Sequence, residues 1–101
     1  MFRALIAALF LSLFALSAQA QDRFWVQVEE HPTLSEATER ARVYASRLDD
    51  VQGYYLGRGF YGIVLGPYSE SLARQELRRL LRDRQIPSDS YLQNGRRFEQ
   101  Q

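Results

Sequence analysis

Two side chains of different chemistry stand two positions apart early in the chain, Trp25 and Gln27. Successive side chains of a β-strand alternate between its two faces, so in a strand these two lie together on one face. An aromatic ring offers an apolar surface to the C–H face of a sugar, and an amide hydrogen-bonds its hydroxyl groups. If residues 24–29 form a strand, this spacing predicts a surface suited to carbohydrate.

Residues 1–20 have the three-part order of a secretory signal peptide. Arg3 is the only charged residue among them, an apolar run follows from Ala4 to Leu16, and residues 17–20 end the segment with small side chains. The apolar run is shorter than the roughly 20 residues that cross a bilayer. We therefore predict export and cleavage after Ala20, with no integral membrane segment afterwards. An uncleaved anchor is the alternative.

The rest of the chain has the size and charge of one small domain. Removing residues 1–20 from the 101 leaves 81, and the chain contains no Cys, which excludes disulfides and a lipid-attachment site. Without Arg3, 12 Arg stand against 12 acidic residues. A net charge near zero argues against bulk attraction to nucleic acid or anionic lipid.

Hydrophobic periodicity predicts the element order β-α-β-β-α-β. The first helix is expected to begin at a capping box of Thr33 and Glu36 and to end at about Leu48, and the second begins after Ser69. The strands are expected at residues 24–29, 51–56, 60–65 and 89–93. Two such halves predict an α+β, ferredoxin-like (RNP-like) βαββαβ sandwich, in which both helices cover one face of a four-stranded antiparallel sheet. We assign residues 21–93 to this domain and residues 94–101 to a polar C-terminal tail.

Strand alternation then assigns the two faces of the sheet. The side chains expected to point toward the helices are Val26, Val28, Leu56, Ile63, Leu65 and Leu92. The opposite face, predicted to be exposed, carries Trp25, Gln27, Tyr55, Phe60, Gly62, Val64 and Tyr91. An exposed aromatic patch is typical of a binding site. The alternatives are that this face packs on a second copy or is covered by the tail.

Residue types that support catalysis are few. His31 is the only His and precedes Pro32 in a predicted loop, so no nucleophile has an obvious base. A zinc site would need a cluster of Cys and His, which the sequence lacks. The adjacent acids Glu29-Glu30 and Asp49-Asp50 are not spaced as a catalytic pair. We predict a binding module that is not an enzyme, with no metal and no cofactor.

A nucleic-acid interface is a further alternative, because residues 58–65 partly match the RNP1 motif of RNA-recognition domains. Tyr61 and Gly62 replace the small-then-aromatic order that places a stacking ring on the exposed face. The predicted signal peptide and the net charge near zero also argue against RNA binding, so no nucleic-acid partner is predicted.

Several motifs occur together and in order: Trp25-Val-Gln-Val28, Tyr61-Gly-Ile-Val-Leu-Gly-Pro-Tyr68, and helix stripes at Ala37/Ala41/Leu48 and Ala73/Leu77/Leu80. In these features the chain resembles the sporulation-related repeat (SPOR) domain over about residues 23–93. The resemblance implies a periplasmic or cell-envelope protein that binds peptidoglycan. Its ligand would be glycan strands stripped of their stem peptides, lying on the exposed sheet face. Such strands concentrate at division sites, so a septal location is also implied.

The resemblance also suggests roles for individual residues. Gln27 matches the first-strand Gln of the family. Rings for sugar contacts would come from Trp25, Tyr55 and Tyr91, further polar contact from Arg58, and the rest of the surface from Phe60, Gly62 and Val64. The chain departs from the family at Glu29-Glu30, where Gly-Ala is usual, and at Gly62, where Arg is frequent.

The sequence is also compatible with two other functions. The leading alternative is an envelope protein–protein interaction module that uses the same face to dock a partner or a second copy. The other is a small inhibitor or cofactor of a wall hydrolase.

Overall fold

The computed structural model of the chain describes residues 23–99. The predicted signal peptide, residues 1–20, lies outside the described residues, as does the end of the predicted tail. The elements are β1 (Phe24–His31), α1 (Leu34–Ala45), β2 (Val51–Gly57), β3 (Phe60–Tyr68), α2 (Glu70–Arg82), β4 (Tyr91–Gln93) and a 3-10 turn (Arg96–Glu99). No helix within residues 23–99 is long and apolar enough to cross a membrane.

The four strands form one antiparallel sheet in the order β2-β3-β1-β4. The predicted α+β, ferredoxin-like arrangement is confirmed. β1 and β3 occupy the centre of the sheet, and β2 and β4 are its two edges.

Both predicted helix starts are present. The Thr33 hydroxyl accepts a hydrogen bond from the Glu36 amide at 3.1 Å, and Ser69 accepts one from the Leu72 amide at 3.3 Å. These bonds satisfy amides that have no partner inside a helix. The second half of the predicted capping box is not formed, because the Glu36 carboxylate lies 3.7 Å from the His31 imidazole and makes no hydrogen bond to the Thr33 amide.

Several boundaries differ from those predicted. β1 extends beyond residue 29 to His31, which was expected in a loop, and β2 ends at Gly57. α1 ends at Ala45 instead of about Leu48, and β4 is restricted to Tyr91–Gln93. β3 runs through Gly66-Pro67 to Tyr68, because its pairing with β1 resumes at Phe24 after a shift in register. The Gly-Pro pair therefore makes an irregularity within the strand, where a backbone with φ +136° at Gly66 is tolerated.

The core lies between the sheet and the two helices. Tyr44 of α1 and Leu80 of α2 pack there against strand residues, with Leu77 and Leu81 at its margin. The strand residues buried in this core are Val26, Val28, Ile63 and Leu65, with Leu92 partly buried against them. Leu34, which fits the apolar stripe of α1 by spacing, is 62% exposed instead.

The assignment of β2 to the two faces was wrong by one residue. Val51 packs against the core, so Gly53 and Tyr55 follow it on the helix side, while Tyr54 and Leu56 lie on the opposite face. A Cβ placed on Gly62 would lie 2.8 Å from Leu56 Cδ1. Leu56 thus fills the space that Gly62 leaves empty, and this packing explains why an apolar residue faces away from the helices.

Candidate functional site

The sheet face opposite the helices is covered in part by the C-terminal segment, which we define as residues 94–99. The Phe98 ring stacks on Tyr54 with 4.2 Å between ring centroids, and it meets Trp25 edge-on at 4.9 Å. Trp25 is consequently 7% exposed. Its position on this face agrees with the sequence pattern, but the expectation that it would be solvent-exposed was wrong.

The backbone of the C-terminal segment also lies directly against the indole. Gly95 has φ +88°, and a Cβ at this position would lie 2.6 Å from Trp25 Cζ3. Only glycine combines this backbone conformation with so close an approach. The Asn94 side chain accepts a hydrogen bond from the Arg96 amide at 3.1 Å and so supports the turn that follows.

A charged contact also holds the C-terminal segment against β1 and β4. Arg97 Nη1 donates to Glu30 Oε1 at 2.8 Å and to the Tyr91 hydroxyl at 3.3 Å. The hydrogen bond to Glu30 raises the pKa of Arg97 above its usual value. This ion pair is partly exposed, so its contribution to stability is modest.

Gln27 lies on the predicted face, but its amide is already occupied. Its Nε2 donates to Glu30 Oε1 at 2.6 Å, and its Oε1 accepts from Gln93 Nε2 at 2.8 Å. With 1% of its surface exposed, Gln27 offers no free hydrogen-bonding group to solvent. It acts here as a link between β1, β4 and Glu30.

The structure divides the remaining predicted site residues into four groups. Gly62 and Val64 are buried on the predicted face, and Phe60 and Tyr91 remain 41% and 44% exposed. Tyr55 lies on the helix side, which corrects its assignment, and its hydroxyl accepts from the Gly59 amide at 3.0 Å. Arg58 is exposed in the β2–β3 turn with φ 57°. The predicted residues therefore do not form one continuous surface.

A cavity of about 300 Å³ opens where β4 ends beside β1. It is lined by Gln27, Val28, Glu29, Glu30, Asp89 and Tyr91. β4 pairs with β1 only from Trp25 to Gln27, so in the described part of the chain residues 28–30 have no strand partner on this side. We call this cavity the β4 notch. It joins two predicted site residues, Gln27 and Tyr91, to the carboxylates of Glu30 and Asp89.

On the helix side, Glu29 forms the most connected polar group of the domain. A register shift in β1 sets Glu29 opposite Ile63, so its carboxylate points toward α1. It accepts from Arg40 at 2.8 and 3.0 Å, is 2.7 Å from His31 Nε2, and also accepts from the Tyr44 hydroxyl. The hydrogen bonds from Arg40 and Tyr44 lower the pKa of Glu29 to about 2.

The cluster around Glu29 has a structural role and has little capacity for acid–base catalysis. The oxygens of the Glu29 carboxylate are fully used by its neighbours, and burial together with Glu29 raises the pKa of Tyr44 to about 12. A carboxylate held ionised and a phenol held neutral do not exchange protons near neutral pH. The cluster instead ties β1 to α1.

Comparison with known proteins identifies no relative of this chain: no family model, no curated protein and no solved structure matches it.

Proposed function

We propose that this protein is an exported cell-envelope module that binds peptidoglycan, through glycan strands lacking stem peptides, and that it acts in the periplasm without catalysis. The observation that supports this proposal is the β4 notch, which sets an exposed aromatic ring beside two carboxylates. The resemblance to the SPOR domain supports the choice of ligand, since that family binds such strands on the same side of its sheet.

The notch has groups for each part of a sugar. The exposed Tyr91 ring offers a surface for the C–H face. The Asp89 carboxylate, together with the Glu30 oxygen that Gln27 and Arg97 do not use, accepts from hydroxyl groups. The backbone groups of residues 28–30 that face away from β3 supply donors and acceptors of the kind that an N-acetyl amide needs. Its volume is at the lower end of the range of small-ligand sites, which begins at roughly 300 Å³. One or a few sugar units would be held there.

The C-terminal segment limits how far a glycan strand extends along the sheet. A strand leaving the notch toward Trp25 meets Arg97 and Phe98, which occupy that part of the face. In this proposal the first contact is at the notch, and Trp25 contributes only after the C-terminal segment is displaced.

The direct test is sedimentation of purified sacculi with residues 21–101, before and after amidase treatment. The sheet, both helices and the core lie within residues 23–99, so this unit contains the whole described fold. Stronger binding after amidase treatment is the expected result. Tyr91→Ala should weaken binding about tenfold, or about 1.4 kcal/mol. Leu72→Ala, on the exposed side of α2 (41% exposed), is the control and should bind normally. Unchanged binding by Tyr91→Ala would remove the notch from the proposal.

A second candidate, an envelope protein-interaction module using the same face, is favoured by one observation. Phe98 shows that this face accommodates an aromatic side chain carried on a short peptide. If docking of a protein segment is the function, residues 21–93 should bind a synthetic peptide of residues 94–101 in calorimetry. Neither residues 21–93 nor residues 21–101 should then bind sacculi. Binding to amidase-treated sacculi would instead support glycan binding over docking of a protein segment.

A further inference from the structure

The outer edge of β2 is available for strand pairing. β2 is an edge strand, and Asp50 O accepts from the Gly66 amide at 3.0 Å. Because antiparallel pairs alternate between hydrogen-bonded and non-hydrogen-bonded, this bond implies that Val51, Gly53 and Tyr55 direct their N–H and C=O groups away from β3. Gly53 is exposed, so its backbone is open to solvent on this edge.

This edge lacks two of the usual protections against pairing, charged residues and proline, and its one irregularity lies at the end of the strand, between Tyr55 and Gly57. Proteins guard edge strands by keeping them short or by placing charges and proline on them. β2 has seven residues, Val51–Gly57, with no charged residue and no proline. The opposite edge, β4, has only three.

We propose that β2 pairs antiparallel with β2 of a second copy of this chain, about a twofold axis at Tyr54, so that two sheets become one. This register overlaps the whole of β2. It sets Gly53 directly opposite Tyr55 of the second copy, and both residues present outward-directed backbone groups. The pairing uses the edge of the sheet, whereas the glycan proposal uses the β4 notch, so the two are independent.

Side-chain packing on the helix side favours this register. A Cβ on Gly53 would meet only Gly62 O, at 3.8 Å, so the position beside it is unfilled. A cavity of about 370 Å³ adjoins it, lined in part by Ala37, Ala41 and Tyr61. Residues directly opposite in an antiparallel pair share a face, so Tyr55 of the second copy would stand beside Gly53 at this cavity. Its ring lies over Gly53 when its hydroxyl exchanges the Gly59 amide for this new contact. An aromatic ring across from an edge glycine is a known means of stabilising a strand pair.

The charges at the ends of β2 favour an antiparallel pair as well. Asp50 precedes β2 and Arg58 follows it, and both are exposed. Among residues 23–99, Arg58 forms no salt bridge. An antiparallel pair brings Asp50 of one copy near Arg58 of the other at each end, whereas a parallel pair would set like charges side by side.

Sedimentation velocity of residues 21–101 over a concentration series tests this proposal, with Gly53→Lys as the disrupting variant and Gly53→Ala as its matched control. The free space at Gly53 accepts either side chain within the monomer. Two lysines beside the twofold axis repel each other, so Gly53→Lys should raise the dimer dissociation constant more than about tenfold. Gly53→Ala should remain a dimer, and the circular dichroism of both variants should match the parent.

Disulfide formation provides a second measurement that does not depend on the Lys variant. The chain has no Cys, so an equimolar mixture of Gly53→Cys and Tyr55→Cys chains should form a cross-linked heterodimer on oxidation, while each variant alone should not. A parent chain that stays monomeric at every concentration overturns the proposal. So does a dimer that Gly53→Lys leaves intact, because its interface then lies elsewhere.

Discussion

At the scale of single residues, the negative charge of Glu29 stabilises the fold through its contacts with Arg40 and Tyr44. Its pKa lies at about 2 instead of 4.5, chiefly because Arg40 donates to its ionised form. A carboxyl with a lowered pKa stabilises the folded state fully above pH 4.5, and this stabilisation is lost as the pH falls from 4.5 toward 2. Glu29→Gln should therefore lower the free energy of unfolding at pH 7 by about 2–3 kcal/mol, and the difference from the parent should shrink as the pH falls through that range.

Urea unfolding at a series of pH values measures this effect. Glu39→Gln is the matched control, since it removes the same charge from an exposed position on α1 that takes part in no salt bridge within the described residues. A stability difference between Glu29→Gln and the parent that stayed constant from pH 7 to pH 2 would contradict the assigned role of the carboxylate.

Single residues also show where prediction from the sequence reached its limit. The pattern placed Trp25 and Gln27 on the correct face, because period-two alternation depends only on local backbone geometry. It could not show that Gln93 and Glu30 use the Gln27 amide, since such partners are brought together by the fold. It also missed the direction of Glu29, because an irregularity in strand pairing leaves no reliable trace in one sequence.

At the scale of elements, local signals were the most reliable. Thr33 and Ser69 cap the two helices as predicted, because capping depends on residues within one turn. β2 was assigned to the wrong faces because Leu56 resembles a core residue, while the position of Val51 in the core decides the alternation. The contact of Phe98 with Tyr54 and Trp25 was not predicted, because residues 94–101 are mostly polar and the contact depends on tertiary structure.

The C-terminal segment can be examined through the only Trp in the chain. Phe98→Ala removes the ring that covers Trp25, so the tryptophan emission should shift to longer wavelength and acrylamide should quench it more strongly. Phe60→Ala, which removes an exposed phenylalanine at the β2–β3 turn, should leave both signals unchanged. If Phe98→Ala behaved like this control, the C-terminal segment would not shield the indole in solution.

At the scale of the whole molecule, the two proposed surfaces lie at opposite edges of one sheet. The strand order β2-β3-β1-β4 separates the pairing edge of β2 from the β4 notch by the full width of the sheet. A dimer joined through β2 would therefore carry its two notches at its outer ends, both free. Two sites on one particle bind a polymer more tightly than one, because the second contact is made at high effective concentration.

This arrangement predicts that oligomeric state affects binding to long glycans but leaves binding to short ones unchanged. Gly53→Lys should weaken binding to amidase-treated sacculi by more than about tenfold, because the monomer loses the second contact. Its affinity for a soluble fragment of a few sugars, measured by calorimetry, should equal that of the parent and of Gly53→Ala. Tyr91→Ala should behave differently, losing affinity for fragment and sacculus alike while remaining a dimer. An equal loss for both ligands in Gly53→Lys would instead mean that the edge of β2 and the notch are not independent.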